Sequence, residues 1–324
     1  MRAVSALVDL RPTPAVIETE VLAGLARSPK RLPSKYFYDA QGSELFESIT
    51  RQPEYYLTRL EFDLLEACVG EIARAVGARA HVVEYGSGSG LKTDLLLDAL
   101  EEVVAYTPNE ISRSALLDSI ATLRVAHPAI EMLPVCADFT HPVQLPRPSH
   151  ASARTLVFFP GSTLGNFESS DAVALLHAMR TTMGSHGVAL IGIDLVKPKP
   201  IIDAAYNDAA GVTAEFTLNL LTRLNREILS DFDVAAFEHR AEFIAGRSRI
   251  ETTLVSRIDQ CVHIGEHAFA FAAGEAMLVE ISHKYTDQGF AALANNAGLE
   301  VARVWNDPSN GFGLRLLTRA SRPG

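Results

Sequence analysis

The sequence predicts an α/β fold that is built on a mostly parallel sheet and interrupted by an inserted α+β module. From about residue 81 onward, short β-branched apolar segments alternate with helical patterns, as in sheets that helices cover on both faces. The alternation stops at Lys197-Pro198-Lys199-Pro200, where two prolines remove backbone donors. It resumes near residue 277. We therefore expect two domains, one formed by residues 1–59 and 197–280 and the other by residues 60–196 and 281–324.

Apolar periodicity places the elements of this fold in order. Short segments rich in β-branched or aromatic residues predict strands at 81–85, 103–107, 155–160 and 188–195. Apolar residues at helical spacing predict helices at 91–102, 112–125 and 170–183. The inserted segment predicts helical structure over 201–229 and then strands between about 240 and 273. The chain ends with a predicted strand at 277–285, a helix at 287–297 and a closing pair of strands.

Composition and charge limit the possible partners. Of 324 residues, 48% are hydrophobic and 21% are charged, which is typical of a globular protein with a sizeable core. The formal net charge of −10 repels phosphate backbones, so we expect no nucleic-acid partner. Asp9 and Arg11 interrupt the N-terminal apolar segment, and no later apolar run is long enough to span a membrane. We therefore expect a cytoplasmic protein, with Cys68, Cys136 and Cys261 as buried thiols.

A glycine-rich turn follows the first predicted strand of the sheet. Gly86, Gly88 and Gly90 let the backbone approach a nucleoside ligand closely, although a tight turn without a ligand is the alternative. The spacing G-x-G-x-G differs from the G-x-G-x-x-G of dinucleotide sites and favours S-adenosylmethionine. Glu84, two residues before the first glycine, is positioned to meet the cationic methionine end of that ligand.

Acidic residues after the next two strands extend this expected cofactor site. Glu110, expected just after the second strand, can accept hydrogen bonds from both ribose hydroxyls, although its spacing equally suits a solvated loop carboxylate. Asp138 and Phe139 follow the third strand and offer an acceptor for the adenine amino group beside an aromatic face. The ten histidines show no convincing metal-ligand spacing, so no metal is expected.

Six long segments resemble the histidine-specific Nα-methyltransferases of ergothioneine biosynthesis, in the same order from about Leu32 to Leu317. They are LPSKYFYDAQGSELFESIT, QPEYYLTR, VVEYGSGSGLKT, FFPGSTLGNF, AAYNDAAGVTAEFTLNLLTRLNRE and EISHKY. The resemblance implies a Rossmann-like class I methyltransferase domain and a second domain that binds the amino acid, with a pocket between them. It also implies three methyl transfers from S-adenosylmethionine to the α-amino group of free L-histidine, which gives hercynine.

The resemblance further implies roles for individual residues. Asn166 and Tyr206 match ligands of the substrate carboxylate, and Asn166 also holds the amine. Glu280 and Ser282 match the pair that grips the imidazole. The remaining matches are Gly161 at the α-amino region, Tyr55 beside the imidazole, Tyr38 near the reacting nitrogen and, for the cofactor, Lys92. Tyr38 and Asn166 are expected to orient the nitrogen, with its proton leaving through water or toward Tyr38. No strong general base is evident.

Two departures from the family pattern bear on the substrate. Glu110 stands where most relatives carry aspartate, and Thr252 stands where relatives often place methionine near the substrate ring. Other interpretations are a methyltransferase of the same fold for a different free amino acid, and a non-catalytic S-adenosylmethionine-binding regulator. A nicotinamide dehydrogenase is disfavoured by the glycine spacing.

Overall fold

A computed structural model of the chain describes residues 7–141 and 143–320, which divide into two compact units. Unit 1 contains residues 7–11, 57–141, 143–196 and 284–320, and unit 2 contains residues 12–56 and 197–283. No helix among the described residues is long and apolar enough to cross a membrane.

The strands and helices are numbered in chain order. The strands are β1 Val8–Leu10, β2 Ala80–Tyr85, β3 Ala105–Glu110, β4 Glu131–Met132, β5 Val135–Ala137, β6 Arg154–Phe159, β7 Val188–Asp194, β8 Phe237–Ile244, β9 Arg249–Ser256, β10 Gln260–Ile264, β11 His267–Phe271, β12 Ala276–His283, β13 Leu299–Asn306 and β14 Phe312–Arg319. The α-helices are α1 Pro14–Leu25, α2 Ala40–Thr50, α3 Tyr56–Val76, α4 Leu91–Ala99, α5 Arg113–Ala126, α6 Ser169–Met183, α7 Lys199–Ala205, α8 Val212–Glu227 and α9 Asp287–Asn296. Short 3-10 helices occur at Ser34–Phe37, Thr163–Asn166, Val234–Ala236 and Ala245–Arg247.

Unit 1 contains a nine-stranded sheet. Its order is β1-β5-β3-β2-β6-β7-β14-β13, and β4 pairs with β3. The pairs from β1 to β7 are parallel, whereas β14 runs antiparallel to both β7 and β13. The predicted α/β class with a mostly parallel sheet is therefore confirmed.

Helices cover both faces of this sheet. Leu156 and Phe158 of β6 pack into one core cluster with residues of α3, α4 and α5, whereas Val157 and Phe159 pack into another with residues of α6 and α9. Alternate side chains of a strand point to opposite faces, so burial on both faces requires a strand that is apolar throughout. This explains why β6 and β7 read as nearly continuous apolar segments.

Two sequence predictions in unit 1 are corrected by strand pairing. The second sheet strand was expected at 103–107, but β3 continues through Pro108-Asn109-Glu110, because β2 and β5 pair with it on either side. The first domain boundary is also shifted. Val8–Leu10 was assigned with the rest of residues 1–59, but it pairs in parallel with β5 and so belongs to the sheet of unit 1.

Unit 2 combines helices with a three-stranded antiparallel sheet, in the order β12-β9-β8, and a β10-β11 hairpin. The helical stretch expected over 201–229 is two helices, because the chain turns between α7 and α8. Gly211 adopts a φ of +76° at this turn, and the Asp208 carboxylate accepts hydrogen bonds from the amides of Val212 and Thr213. These contacts restart the helix in a new direction.

The cysteines differ in their environments. Burial raises the pKa of the Cys68 and Cys136 thiols to about 12, in agreement with the prediction of inert buried thiols. The prediction is wrong for Cys261, which is exposed. Cys261 lies on β10, where Val262 and Ile264 are buried and the alternate residues face solvent.

Candidate functional site

The residues predicted to hold a nucleoside ligand lie at the carboxyl ends of neighbouring parallel strands in unit 1. Glu84 lies near the end of β2, Glu110 ends β3, and Asp138 directly follows β5. Ligands of open α/β sheets bind at this edge, because the strand ends and the following helix N-termini meet there.

The glycine-rich turn between β2 and α4 leaves room for a ligand. Gly86, Gly88 and Gly90 have φ values of +74°, +50° and +79°, a conformation that residues with a Cβ rarely adopt. A Cβ on Gly88 would meet no heavy atom of the described residues within 4 Å. The turn thus leaves open space beside Gly88 at the sheet edge.

Glu84 is fully buried and only partly satisfied. Its Oε2 accepts hydrogen bonds from the Thr93 and Tyr106 hydroxyls, at 2.7 and 2.5 Å, but its Oε1 has no partner among the described residues. Burial raises the pKa of this carboxyl to about 8. The Oδ1 of Asn109, on the adjacent strand β3, is also buried and has no hydrogen-bond partner among the residues that the structure describes. Orphaned acceptors of this kind suit a ligand that brings donors and positive charge.

Glu110 joins the glycine-rich turn to the next helix. Its Oε2 accepts a hydrogen bond from the Gly88 amide at 3.1 Å, and its Oε1 accepts one from the Ser112 amide at 3.0 Å. Burial raises the pKa of Glu110 despite these amides. Each carboxylate oxygen can accept a second hydrogen bond, so the expected contact with two ribose hydroxyls stays compatible with this arrangement. The structure places Glu110 in a strand and buries it, unlike a solvated loop carboxylate.

Asp138 and Phe139 lie at the same edge of the unit 1 sheet, directly after β5. The Asp138 Oδ1 accepts hydrogen bonds from the Thr140 amide at 2.9 Å and from its hydroxyl at 2.6 Å. The Phe139 ring stacks on Tyr85, with 5.6 Å between centroids and 6° between planes. One face of Phe139 is therefore already covered, and a base stacking on it has to use the other face.

Lys92 pairs with a residue that sequence reasoning missed. Its ammonium, in the first turn of α4, forms an ion pair with the carboxylate of Glu61 on α3. Both oxygens of Glu61 also lie 2.9 Å from the Gly161 amide, which donates to them. The sequence did contain a signal for Glu61. This residue lies four residues after Leu57 and seven before Cys68, so a charged residue occupies the apolar face of an amphipathic helix.

Gly161 and Asn166 lie in the loop between β6 and α6, also in unit 1. Gly161 has a φ of +79° and Ser162 a φ of +55°, and the Ser162 Oγ accepts a hydrogen bond from the Asp194 amide at 2.8 Å. Asn166 is half-buried at the end of a 3-10 helix, and its side-chain amide makes no hydrogen bond to residues that the structure describes. A side-chain amide in this state offers both a donor and an acceptor to a ligand.

A buried ion pair supports the same loop region. The Lys284 ammonium lies 2.8 Å from the Asp194 Oδ2, and both side chains are fully buried. Tyr285 follows Lys284, and its hydroxyl donates to the Leu164 carbonyl at 3.3 Å. Lys284 and Tyr285 thereby stabilise the end of β7 and the loop after β6.

In unit 2, the predicted tyrosines belong to one aromatic cluster. The Tyr38 ring packs edge-on against Phe46 and Phe216, at centroid distances of 5.7 and 5.6 Å. Phe46 also contacts Tyr55 at 6.2 Å, and Tyr55 contacts Tyr206 at 6.4 Å. Sequence reasoning missed Phe46 and Phe216, whose apolar side chains carried no signal beyond helix packing.

The other predicted residues of unit 2 share one face of its sheet. Glu280 and Ser282 alternate along β12 and lie opposite Thr252 and Ile250 of β9. The Ser282 Oγ accepts a hydrogen bond from the Tyr206 hydroxyl at 2.8 Å. Thr252 is buried, and its hydroxyl has no partner among residues 7–141 and 143–320. Tyr206, Glu280 and Ser282 thus come together in unit 2, whereas Gly161 and Asn166 belong to unit 1.

Comparisons with known proteins find relatives over nearly the whole chain. Residues 17–319 match the sequence model of a family described as histidine-specific methyltransferase, SAM-dependent. The chain is 40% identical over 308 residues to a histidine N-alpha-methyltransferase of Mycolicibacterium smegmatis, and 39% identical over 309 residues to one of Mycobacterium tuberculosis. Each alignment covers 94% of this chain and 95% of the relative.

A solved S-adenosylmethionine-dependent methyltransferase from Clostridium acetobutylicum shares the fold. Its TM-score is 0.50 at 10% identity, and the alignment covers 85% of this chain and 98% of the other. The similarity confirms the Rossmann-like class I methyltransferase fold.

Proposed function

Because the chain belongs to the family of histidine-specific, S-adenosylmethionine-dependent methyltransferases, we propose that it methylates the α-amino group of free L-histidine. Three successive transfers would give hercynine, the product that the resemblance to the ergothioneine enzymes implies. The observation that carries the proposal is 40% identity over 94% of the chain to a histidine N-alpha-methyltransferase.

The edge of the unit 1 sheet suits the methyl donor. S-adenosylmethionine, when bound, supplies a methyl group on a positively charged sulfur. The unpartnered Glu84 Oε1 can accept from the cationic methionine end, and Glu110 can accept from the ribose hydroxyls. Asp138 and Phe139 would contact the base, and Lys92 would bind the carboxylate. The proposal thus assigns acceptors to the cationic end and the hydroxyls of the ligand, and a cation to its carboxylate.

The amino acid would be recognised by the residues that the resemblance assigns to it. Asn166 and Tyr206 would bind the carboxylate, Gly161 would lie at the amine, and Tyr55 would pack beside the imidazole. Ser282 and Glu280 would read its two ring nitrogens, because a neutral imidazole has one donor and one acceptor. Tyr206 already donates to Ser282, so donation to the carboxylate requires that this hydrogen bond be exchanged.

The aromatic cluster suits repeated methylation. The product carries a permanent positive charge without N–H donors, and tyrosine and phenylalanine rings attract such a cation through their faces. Tyr38 and Asn166 would orient the nitrogen lone pair, and the proton of the α-ammonium would leave through water or toward Tyr38. Orientation of the reacting atoms contributes roughly 7–11 kcal/mol in well-aligned systems.

We also propose that the protein is cytoplasmic and has no nucleic-acid partner. The excess of ten negative charges supports the absence of a nucleic-acid partner. The three free cysteines support a reducing, cytoplasmic location.

The test is incubation of the purified protein with S-adenosylmethionine and a panel of free amino acids, followed by mass spectrometry. Histidine should gain one, two and three methyl groups. The variant Glu280→Leu/Ser282→Ala should lose histidine turnover and still bind the methyl donor. Turnover of another amino acid instead of histidine would replace the substrate assignment, and binding of the donor without any turnover would indicate a regulator.

A further inference from the structure

We propose that Glu61 is a positioning residue that holds Lys92 and Gly161 in place for the methyl donor and the reacting amine. The inference rests on the proposed function, because the roles of Lys92 and Gly161 come from it. Glu61 itself is buried beneath these groups and acts through them. Neither the glycine-rich turn nor the substrate motifs include it.

Three contacts converge on the Glu61 carboxylate. The side chain is 1% exposed, it pairs with the Lys92 ammonium, and its two oxygens accept from the Gly161 amide. A buried carboxylate is costly unless charges and donors satisfy it. Here one cation and one backbone amide satisfy it, and these belong to two different predicted binding segments.

Strand β7 has a glycine, Gly192, where it passes the Glu61 carboxylate. A Cβ on Gly192 of β7 would lie 2.2 Å from the Glu61 Oε1 and 3.2 Å from its Cδ. Any larger residue at position 192 therefore has to displace Glu61. Gly192 lies in the interior of a buried strand, where glycine weakens the strand and commonly marks a close approach of another group. Gly192 is therefore a third position, after Lys92 and Gly161, whose residue type suits the Glu61 side chain.

The contacts indicate how Glu61 would act. An ammonium has three N–H donors, so Lys92 retains donors for a ligand carboxylate while one of them is directed at Glu61. The pair carries no net charge, so it can bind that carboxylate without adding repulsion to a ligand that also has two cationic centres. The Gly161 amide, held by the same carboxylate, fixes the start of the loop that ends at Asn166.

The experiment compares Glu61→Gln, Lys92→Met and the double variant with wild type. Glutamine keeps the size of Glu61 and one acceptor for Gly161 but removes the charge that pairs with Lys92. We expect each single variant to weaken S-adenosylmethionine binding about tenfold by calorimetry, as for loss of a charge-assisted contact. The double variant should bind about as weakly as Lys92→Met alone, because Glu61 acts on the donor through Lys92. Glu66→Gln, an exposed position on the same helix, should bind like wild type.

Gly192→Ala tests the same inference without replacing Glu61 or Lys92. It should also weaken donor binding, by displacing the carboxylate, and should have little further effect in a Glu61→Ala background. The inference is overturned if Glu61→Gln lowers only the melting temperature while donor affinity stays within twofold of wild type, or if the effects of Glu61→Gln and Lys92→Met multiply. These measurements use donor binding alone, so they remain decisive even if histidine is not the substrate. Absence of donor binding by the wild-type protein would instead overturn the proposed function.

Discussion

The Tyr206 hydroxyl donates a hydrogen bond to the Ser282 Oγ at 2.8 Å, and both side chains are buried. A serine hydroxyl that accepts such a bond keeps its own proton for donation to another acceptor. The proposed function assigns Ser282 as a donor toward one imidazole nitrogen and Glu280 as the acceptor for the N–H of the ring. The hydrogen bond also joins a residue matched to the carboxylate end of the substrate with one matched to the imidazole.

Removal of either hydroxyl should therefore have coupled effects. Tyr206→Phe and Ser282→Ala should each raise the KM for histidine, by roughly tenfold for the loss of about 1.4 kcal/mol of hydrogen bonding. The double variant should raise it by less than the product of the two, because the side chains act on each other. Steady-state kinetics at saturating methyl donor measures this, with Tyr36→Phe as a buried tyrosine control whose hydroxyl contacts Glu20. Independent, multiplying effects would show that Tyr206 acts only at the carboxylate.

Removal of the Thr252 hydroxyl, which has no partner among the described residues, should stabilise the fold and weaken histidine binding. In the protein without substrate, Thr252→Val should raise the free energy of unfolding by about 1 kcal/mol, since a buried hydroxyl without a partner is costly. The same variant should raise the KM for histidine, because Thr252 pairs across the sheet with Glu280, which the proposed function assigns to the imidazole. Thr253→Val is a matched control on the other face of β9, where the Thr253 hydroxyl contacts the Arg240 carbonyl. An unchanged KM for Thr252→Val would remove Thr252 from the substrate site.

Binding of the methyl donor should release a proton near neutral pH. Burial raises the pKa of Glu84 to about 8, so this carboxyl is largely protonated at pH 7 when no ligand is present. A cationic ligand favours the ionised form, so affinity should increase as the pH rises from 6 to 8. Calorimetry in buffers of different ionisation enthalpy measures the released proton. Glu84→Gln should bind more weakly and lose this release, and equal proton release by the variant would contradict the assignment.

The same group makes the stability of the ligand-free protein depend on pH. The pKa of Glu84 is raised above its ordinary value of 4.5 in the folded protein, so between about pH 4.5 and 8 the folded state binds more protons than the unfolded state. This contribution to stability is complete below about pH 4.5 and is lost as the pH rises toward 8, at a slope of at most about 1.4 kcal/mol per pH unit. Urea unfolding of wild type and Glu84→Gln should diverge across this window. Parallel stability profiles would count against the raised pKa.

Breaking the buried ion pair between Lys284 and Asp194 should be strongly destabilising. Lys284→Met leaves the Asp194 carboxylate buried without its cation, which should lower the free energy of unfolding by about 3–5 kcal/mol. Lys199→Met, which removes an exposed lysine paired with Asp203, should change stability little. Combining Lys284→Met with Asp194→Leu should recover part of the loss, since no buried charge remains. A loss for Lys284→Met no larger than that for Lys199→Met would contradict this role.

Sequence patterns predicted β6 and β7 of unit 1 closely because these strands are largely buried and apolar. The expected strand at 155–160 corresponds to Arg154–Phe159, and the expected strand at 188–195 corresponds to Val188–Asp194. The prediction ended β3 too early, since Pro108, Asn109 and Glu110 read locally as a turn. Pairing with two neighbouring strands keeps these residues extended. Local propensity is a weak guide wherever such long-range pairing decides the conformation.

Sequence by itself determined the fold class, the family and the residue types of the proposed site, because these depend on local apolar periodicity and on long uninterrupted motifs. Only the tertiary structure decided which groups satisfy one another. Glu61 meets Lys92 and Gly161 at separations of 31 and 100 residues along the chain, and the Tyr206 hydroxyl meets Ser282 at a separation of 76. Burial removes these polar groups from water, so their partners must come from whatever residues folding brings beside them.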